Sequence, residues 1–189
     1  MAKHIGIVAC SAEGAALCYR TLCAEGPRLM GEHLHPEVSM HTHPLGMYMV
    51  HIHSGGWGAV ADLMLASVRK LADIGAELAI CPDNTIHQAF ALVATCSPIP
   101  WLHIAEAVGI EARSRGFKTL GITGTKYLMT GPVYPETLRH LGIECEIPEA
   151  ADRERIDTII FKELVNGVFR EESRLSLNTV ILTRKVEML

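Results

Sequence analysis

Apolar positions change their spacing along this chain in a regular order. Short runs rich in β-branched and small apolar residues occur at His4–Cys10, Val38–Thr42, Leu78–Cys81, Thr119–Thr123 and Ile143–Glu146, and Trp101–Ile104 is a further candidate. Their length and composition predict strands. Between them the spacing lengthens to three and four. Ala15, Ala16, Tyr19 and Leu22 predict a helix from the Ser11 cap to about Cys23, and Val60, Leu63, Met64, Val68 and Leu71 predict one over 57–74. Further helices are predicted over 84–93, 105–115, 135–141 and 150–165, several of them followed by glycine. Residues 26–36 are predicted as loop and 44–56 as irregular or partly extended. Residues 171–189 carry both patterns and are assigned to a helix. The alternation predicts an α/β fold with a parallel sheet.

Composition narrows the class. A chain of 189 residues suits one domain or two small lobes, and its apolar fraction of 49% supports a full core. A net charge of −4 gives no general basic field, so nucleic acid is not an expected partner. No uncharged apolar run approaches the roughly 18 residues of a membrane span. The first apolar run is too short for a signal peptide and fits a first strand better. Six cysteines without CxxC spacing point to reduced thiols and a cytoplasmic protein.

Candidate chemistry collects at the ends of the predicted strands, where open α/β sheets bind ligands. The third strand leads into Cys81-Pro82-Asp83-Asn84-Thr85. Asp83 can accept or donate a proton, and Cys81 can serve as a thiolate if its pKa is lowered. Asn84 and Thr85 can hold a carboxylate at a helix N-terminus. The alternative is that Asp83 and Thr85 only cap the next helix. After the first strand, Ser11 is a ligand for substrate oxygen or a plain helix cap. After the strand at Thr119–Thr123, Thr123-Gly124-Thr125 is an anion site or an ordinary polar turn. Three His-x-His pairs, His33/His35, His41/His43 and His51/His53, share a face if each lies on a strand, which suits zinc or iron. No acidic or cysteine partner spacing accompanies them. Solvated or hydrogen-bonded histidines are the preferred reading, with His41/His43 the best placed for a site. Lys162, on the last long helix, is a candidate carboxylate partner or part of a solvated face.

Several segments together carry a family resemblance. They are Ile5-Gly6-Ile7-Val8, Asn84-Thr85-Ile86-His87, Pro100-Trp101-Leu102-His103-Ile104, Leu120-Gly121-Ile122-Thr123-Gly124-Thr125 with Tyr134 and Leu138, and Ile159-Ile160-Phe161-Lys162-Glu163-Leu164 with Gly167. In this order and spacing the chain resembles the aspartate/glutamate racemase superfamily, which also holds hydantoin racemases, maleate isomerases and arylmalonate decarboxylases. The resemblance spans about residues 3–174. It implies two similar α/β lobes with mainly parallel, Rossmann- or flavodoxin-like sheets and an active site in the cleft between them. The lobes are expected at 1–97 and 98–189. It also implies proton transfer at the α-carbon of an amino acid such as aspartate or glutamate, without pyridoxal phosphate or a metal. A homodimer is the expected assembly.

The resemblance implies that two acid/base residues, usually cysteines, flank the substrate α-carbon. The first usually precedes Asn-Thr, where this chain has Asp83, with Cys81 two positions earlier. Asp83 has the position and Cys81 the usual chemistry. Ser11, Asn84, Thr85, Thr125 and His41 are the expected substrate-binding residues. The second cysteine of the family lies in a Gly-Cys-Thr-Glu segment on a strand after the late helix, and no such segment follows Arg174 here. The expectation is a chain lacking that strand-helix segment, with impaired turnover, and with lower stability or compensating dimerisation. The alternatives are a related isomerase or decarboxylase of a dicarboxylate, a non-catalytic ligand-binding protein, and a metal-dependent hydrolase using the histidines.

Overall fold

A computed structural model describes residues 2–182. The elements run β1 (Ile5–Ala9), α1 (Ala12–Met30), β2 (Val38–Thr42), α2 (Leu45–Ser54), α3 (Trp57–Asp73), β3 (Leu78–Ile80), a 3-10 helix (Thr85–Ala89), α4 (Phe90–Cys96), α5 (Ile104–Ser114), β4 (Thr119–Gly121), α6 (Lys126–Met129), α7 (Val133–Arg139), β5 (Glu144–Glu146), α8 (Ala150–Lys162), a 3-10 turn (Leu164–Asn166) and α9 (Glu171–Leu182). The fold is α/β with parallel sheets, as the alternation of spacings predicts. The chain divides into two compact units, the first running to Ile104 and the second starting at Ala105.

In the first unit the strand order is β2-β1-β3, all parallel. Ile7 pairs with Met40 on one side and Ile80 on the other. One face of β1 packs Ile7 and Ala9 against Ala15, Cys18 and Leu22 of α1. On α3 the buried positions are Val60, Ala61, Met64, Leu65, Ser67, Val68 and Leu71. A Cβ on Gly6 would lie 3.2 Å from Leu71 Cβ, so α3 sits close against β1 at this glycine. Burial on both faces explains why β1 is a continuous apolar run without alternation. Fully buried Ile7 and Val8 contribute about 1.5–3 kcal/mol each by removal from water.

Residues 98–104 belong with this unit through backbone bonds. Ala79 N–H donates to Pro100 O at 2.8 Å and Leu102 N–H to Ala79 O at 3.1 Å. The strand expected at 101–104 is therefore a single bridge between Ala79 and Trp101, and the chain turns at once into α5.

Two further expectations are corrected. Helix α1 continues through residues 26–30, expected as loop, because Gly26 lets its last turns lie against residues 34–35. Residues 44–56, expected as irregular, contain helix α2. Its signal is faint because only Tyr48 and Ile52, one turn apart, are buried, while the other positions mix Met, His and Gly. Gly55, at φ 68°, ends it in the left-handed conformation that glycine adopts without strain.

In the second unit β4 and β5 pair in parallel, Leu120 opposite Cys145. Its main core joins Ala105, Ala112, Leu120, Ile122, Leu138 and Ile143. A smaller cluster of Met129, Ile156 and Val180 ties α8 and α9 to α6. Residues 171–182 are helical, as assigned, and the rest of that assignment, 183–189, lies outside the described residues. Among the described residues no helix is long and apolar enough to cross a membrane.

Candidate active site

The carboxyl ends of β1 and β3 lie side by side in the first unit. The chain leaves β1 for β2 on one side of it, while β3 lies on the other, so the ends of β1 and β3 flank a point where the strand order reverses. Open α/β sheets bind ligands outside strand ends at such points. Ser11 follows β1 and Asp83 follows β3. The Ser11 backbone N–H donates to Asp83 Oδ2 at 2.9 Å, and the Ser11 hydroxyl donates to the same oxygen at 3.2 Å.

These bonds set the Ser11 side chain apart from a plain helix cap. It stands at the N-cap of α1 with extended backbone, φ −96° and ψ 143°, but its side chain makes no capping bond. The hydroxyl is turned to Asp83 instead. Asp83 is joined to Ser11 across the sheet in the same way. Gly14 leaves room for this arrangement, since a Cβ there would lie 2.8 Å from Ser11 Oγ and 3.9 Å from Asp83 Oδ2.

The backbone of Asp83 is fixed from beneath. His87, 3% exposed, approaches Asp83 O through Nδ1 at 3.0 Å, and Ile104 N–H donates to its Nε2 at 3.4 Å. The Ile104 bond assigns the proton to Nδ1, so His87 donates to the Asp83 carbonyl. Cys81 Sγ–H points to the same carbonyl at 3.7 Å. Asp83 is thus held at the carbonyl and at the carboxylate.

Burial sets the protonation of these groups. It pushes the Asp83 carboxyl above its ordinary range, opposed by the Ser11 N–H, the Ser11 hydroxyl and the Cys10 N–H. It pushes the Cys81 thiol far up, and the nearby Asp83 charge adds to this. Cys10 is raised by the same two causes. His87 is lowered to about 4, chiefly by burial, with the Asp83 carbonyl opposing and His103 adding. The site therefore pairs an elevated carboxyl with neutral thiols and a neutral imidazole.

Asn84 and Thr85 open the 3-10 helix after Asp83, and the Asn84 side chain makes no capping bond there. His41 lies on β2, opposite Val8 of β1. Its Nδ1 meets Ser67 Oγ at 3.0 Å, and Lys70 Nζ meets its Nε2 at 3.0 Å. Its pKa is lowered by burial, then by Lys70 and His43. Thr125 belongs to the second unit, where its Oγ1 accepts from Leu128 N–H at 3.2 Å and caps α6. The buried carboxylate of Asp157 accepts from the neighbouring Lys126 N–H at 2.8 Å. Lys162 is the last residue of α8, also in the second unit.

His41 and His43 stack edge-on at 4.9 Å. His51 and His53 lie on helix α2, where residues two apart diverge instead of sharing a face. Among the described residues no three His, Cys, Asp or Glu side chains gather closely enough to hold a metal ion. Gly14, Tyr48 and Ser67 were not singled out by the sequence. Gly14 matters only once Ser11 and Asp83 are known to meet. Tyr48 lies in the segment without clear periodicity, and Ser67 resembles any small residue on a helix face.

Residues 7–185 match the sequence model of the Asp/Glu/Hydantoin racemase family. A crystal structure from Yersinia pestis, provisionally described as an Asp/Glu racemase, is 27% identical, with TM-score 0.83, over 96% of this chain and 80% of that one. An aspartate racemase homologue from Pyrococcus horikoshii is 26% identical, with TM-score 0.77, over 97% and 80%. The aspartate racemase of Picrophilus torridus shares the fold, with TM-score 0.78 over 96% and 76% at 17% identity.

Proposed function

Because this chain belongs to the Asp/Glu/hydantoin racemase family, we propose that it moves a proton at the α-carbon of an acidic amino acid such as aspartate or glutamate, with Asp83 as the acid/base on one face. One observation carries the choice of Asp83 over Cys81. The Asp83 carboxylate is aimed by Ser11 at the strand ends, while the Cys81 thiol is buried against the Asp83 carbonyl.

In this reading ionised Asp83 takes the α-proton. The Cα–H bond breaks, its electron pair enters the substrate carboxyl group as an enediolate, and the proton joins an Asp83 oxygen. A carboxyl of ordinary pKa is a weak base for this step, and desolvation strengthens it. The raised pKa of Asp83 supports the assignment. Ser11 keeps the carboxylate oriented through Oδ2. Asn84, Thr85, Thr125 and His41 are proposed to bind the substrate carboxylates. Return of the proton to the same face is exchange, and return to the opposite face, from a second acid/base, is racemisation. Independence from pyridoxal phosphate, a cytoplasmic setting and a homodimer belong to the same proposal.

The test is proton NMR in D₂O with purified protein and each enantiomer of aspartate and glutamate. Loss of the α-proton signal in the wild type, and its persistence with Asp83→Asn, is the expected result. Persistence with the wild type for all four substrates would remove the proposal.

A further inference from the structure

His87 closes the segment Asn84-Thr85-Ile86-His87 that follows the acid, and the proton transfer proposed above leaves it without a part. Its backbone N–H donates to Asn84 O at 3.2 Å, and its ring Nδ1 stands 3.0 Å from Asp83 O. One residue therefore engages two successive carbonyls at the exit of β3. The other ring nitrogen, Nε2, accepts from Ile104 N–H at 3.4 Å. The sides of the ring are occupied as well. Phe90 lies nearly parallel to it, centroids 5.7 Å apart, and His103 meets it edge-on at 4.9 Å.

Both nitrogens are engaged inside the fold, and the residue is almost wholly buried. The imidazole is placed to hold backbone, not to pass protons to a substrate. The Asp83 carbonyl lies in the plane of the 83–84 peptide, so fixing its oxygen fixes that plane. The carboxylate at the other end of the residue is fixed by Ser11. Cys81 also points at the carbonyl, but through sulfur at 3.7 Å, and a thiol is a weak donor.

We propose that His87 is a positioning residue for Asp83: its Nδ1–H bond to the Asp83 carbonyl, braced by Ile104 N–H at Nε2 and by the Phe90 and His103 rings, sets the direction from which the carboxylate meets the α-proton. The inference rests on the reading of Asp83 as the acid/base. A flat ring with a nitrogen on each side can bridge two backbone groups that a single amide cannot. It charges only near pH 4, so at neutral pH Nε2 stays an acceptor. A reacting group displaced by about 1 Å loses about 10²-fold in rate, which is the scale of the effect.

Two variants divide the ring. Asparagine places its amide nitrogen where Nδ1 stands and keeps a donor for Asp83 O. Glutamine reaches the Nε2 position and keeps a partner for Ile104 N–H. His87→Gln is expected to lower kcat for α-proton exchange by about 10²-fold with KM within about threefold. His87→Asn is expected to keep kcat within about tenfold of wild type, although it melts lower because it leaves the Ile104 N–H unpaired. Amide hydrogen exchange at Ser11, whose N–H is bonded to Asp83 Oδ2, follows the same positioning without turnover. Relative to Val8 in β1, Ser11 is expected to lose about tenfold in protection in His87→Gln and to keep it in His87→Asn. Nitrogen-15 NMR of the wild type is expected to show the His87 proton on Nδ1 and none on Nε2. Equal loss of kcat in both variants, a loss that falls on KM, unchanged Ser11 protection in His87→Gln, or a proton on Nε2 would each overturn the proposal. The expected Ser11 and nitrogen-15 results without wild-type α-proton exchange reject the racemase reading and keep the His87–Asp83 link. Normal wild-type exchange with unmoved Ser11 protection rejects the link alone.

Discussion

Ser11 and Asp83 stand 72 positions apart, and both Ser11 donors converge on one oxygen of the Asp83 carboxylate. The pairing crosses from the end of β1 to the end of β3, so the sheet itself aims the acid. Its stability consequence has a definite sign. The folded-state pKa of Asp83 is raised. Below the ordinary carboxylate pKa the group is protonated in both states. As pH rises through the folded value, the unfolded chain gains more from ionisation, so stability is lost. Asp83→Asn is therefore expected to raise the melting temperature at pH 7, while slowing α-proton exchange by about 10²–10⁴-fold, the usual loss on removing a general base. Ser11→Ala keeps the backbone donor and loses the hydroxyl, so its acid limb is expected to move to higher pH. Thermal melts and NMR exchange on the three proteins check both effects.

His87 works in the opposite direction. Its folded pKa is about 4, against an ordinary value of 6.5. Between those values the unfolded chain binds the extra proton, so stability is full above pH 6.5 and falls as pH drops toward 4. At about 1.4 kcal/mol per pH unit, the loss is about 3 kcal/mol. His87→Gln is expected to cost about 1–3 kcal/mol at pH 7, through the bond to Asp83 O, and to flatten this slope. Urea unfolding at several pH values between 4 and 7 measures both. An unchanged slope in the variant would assign it to other groups.

The regular parts of the fold were legible because burial on defined faces leaves a period. β1 lies between two helical layers and shows a solid apolar run, and α3 shows its stripe. Helix α2 was not legible, since one buried pair in ten residues sets no period. Of the site, Asp83 and Ser11 were visible as polar residues at strand ends. Their mutual bond was not, because nothing local in sequence distinguishes a cap from a cross-sheet donor. Thr125 was visible as an anion candidate or part of an ordinary polar turn, and in the structure its Oγ1 accepts from Leu128 N–H.

Gly26 marks a place where packing overrides a local signal. Gly-Pro at 26–27 predicts a break, yet α1 runs through it. A Cβ at position 26 would lie 2.5 Å from His35 Cβ, 2.7 Å from His35 Cα and 2.8 Å from Leu34 O. Two of these atoms are backbone and cannot turn aside. Gly26→Ala is expected to destabilise by about 1–3 kcal/mol despite the better helix propensity of alanine. Urea denaturation provides the measurement, and a gain in stability would show that the connection to β2 shifts freely.

Cys81 and Asp83 can be separated by their protonation. A catalytic thiol needs a thiolate fraction near neutral pH, through a positive neighbour, a helix N-terminus or a metal. Cys81 has the opposite surroundings. Burial raises its pKa, the Asp83 charge raises it further against a smaller opposing backbone bond at Asp83, and its proton points at the Asp83 carbonyl. Only 3% of the residue is exposed, so alkylating reagents have little access. Cys81→Ala is expected to retain α-proton exchange within about tenfold of wild type. It is expected to lose about 1–2 kcal/mol of stability through the small cavity and the lost contact to Asp83 O. Iodoacetamide at pH 7.5 is expected to leave Cys81 unmodified in the folded protein while labelling exposed Cys96. Mass spectrometry of the alkylated protein and NMR exchange of the variant test this together. Rapid labelling of Cys81, with exchange abolished in Cys81→Ala, would transfer the acid/base role from the carboxylate to the thiol.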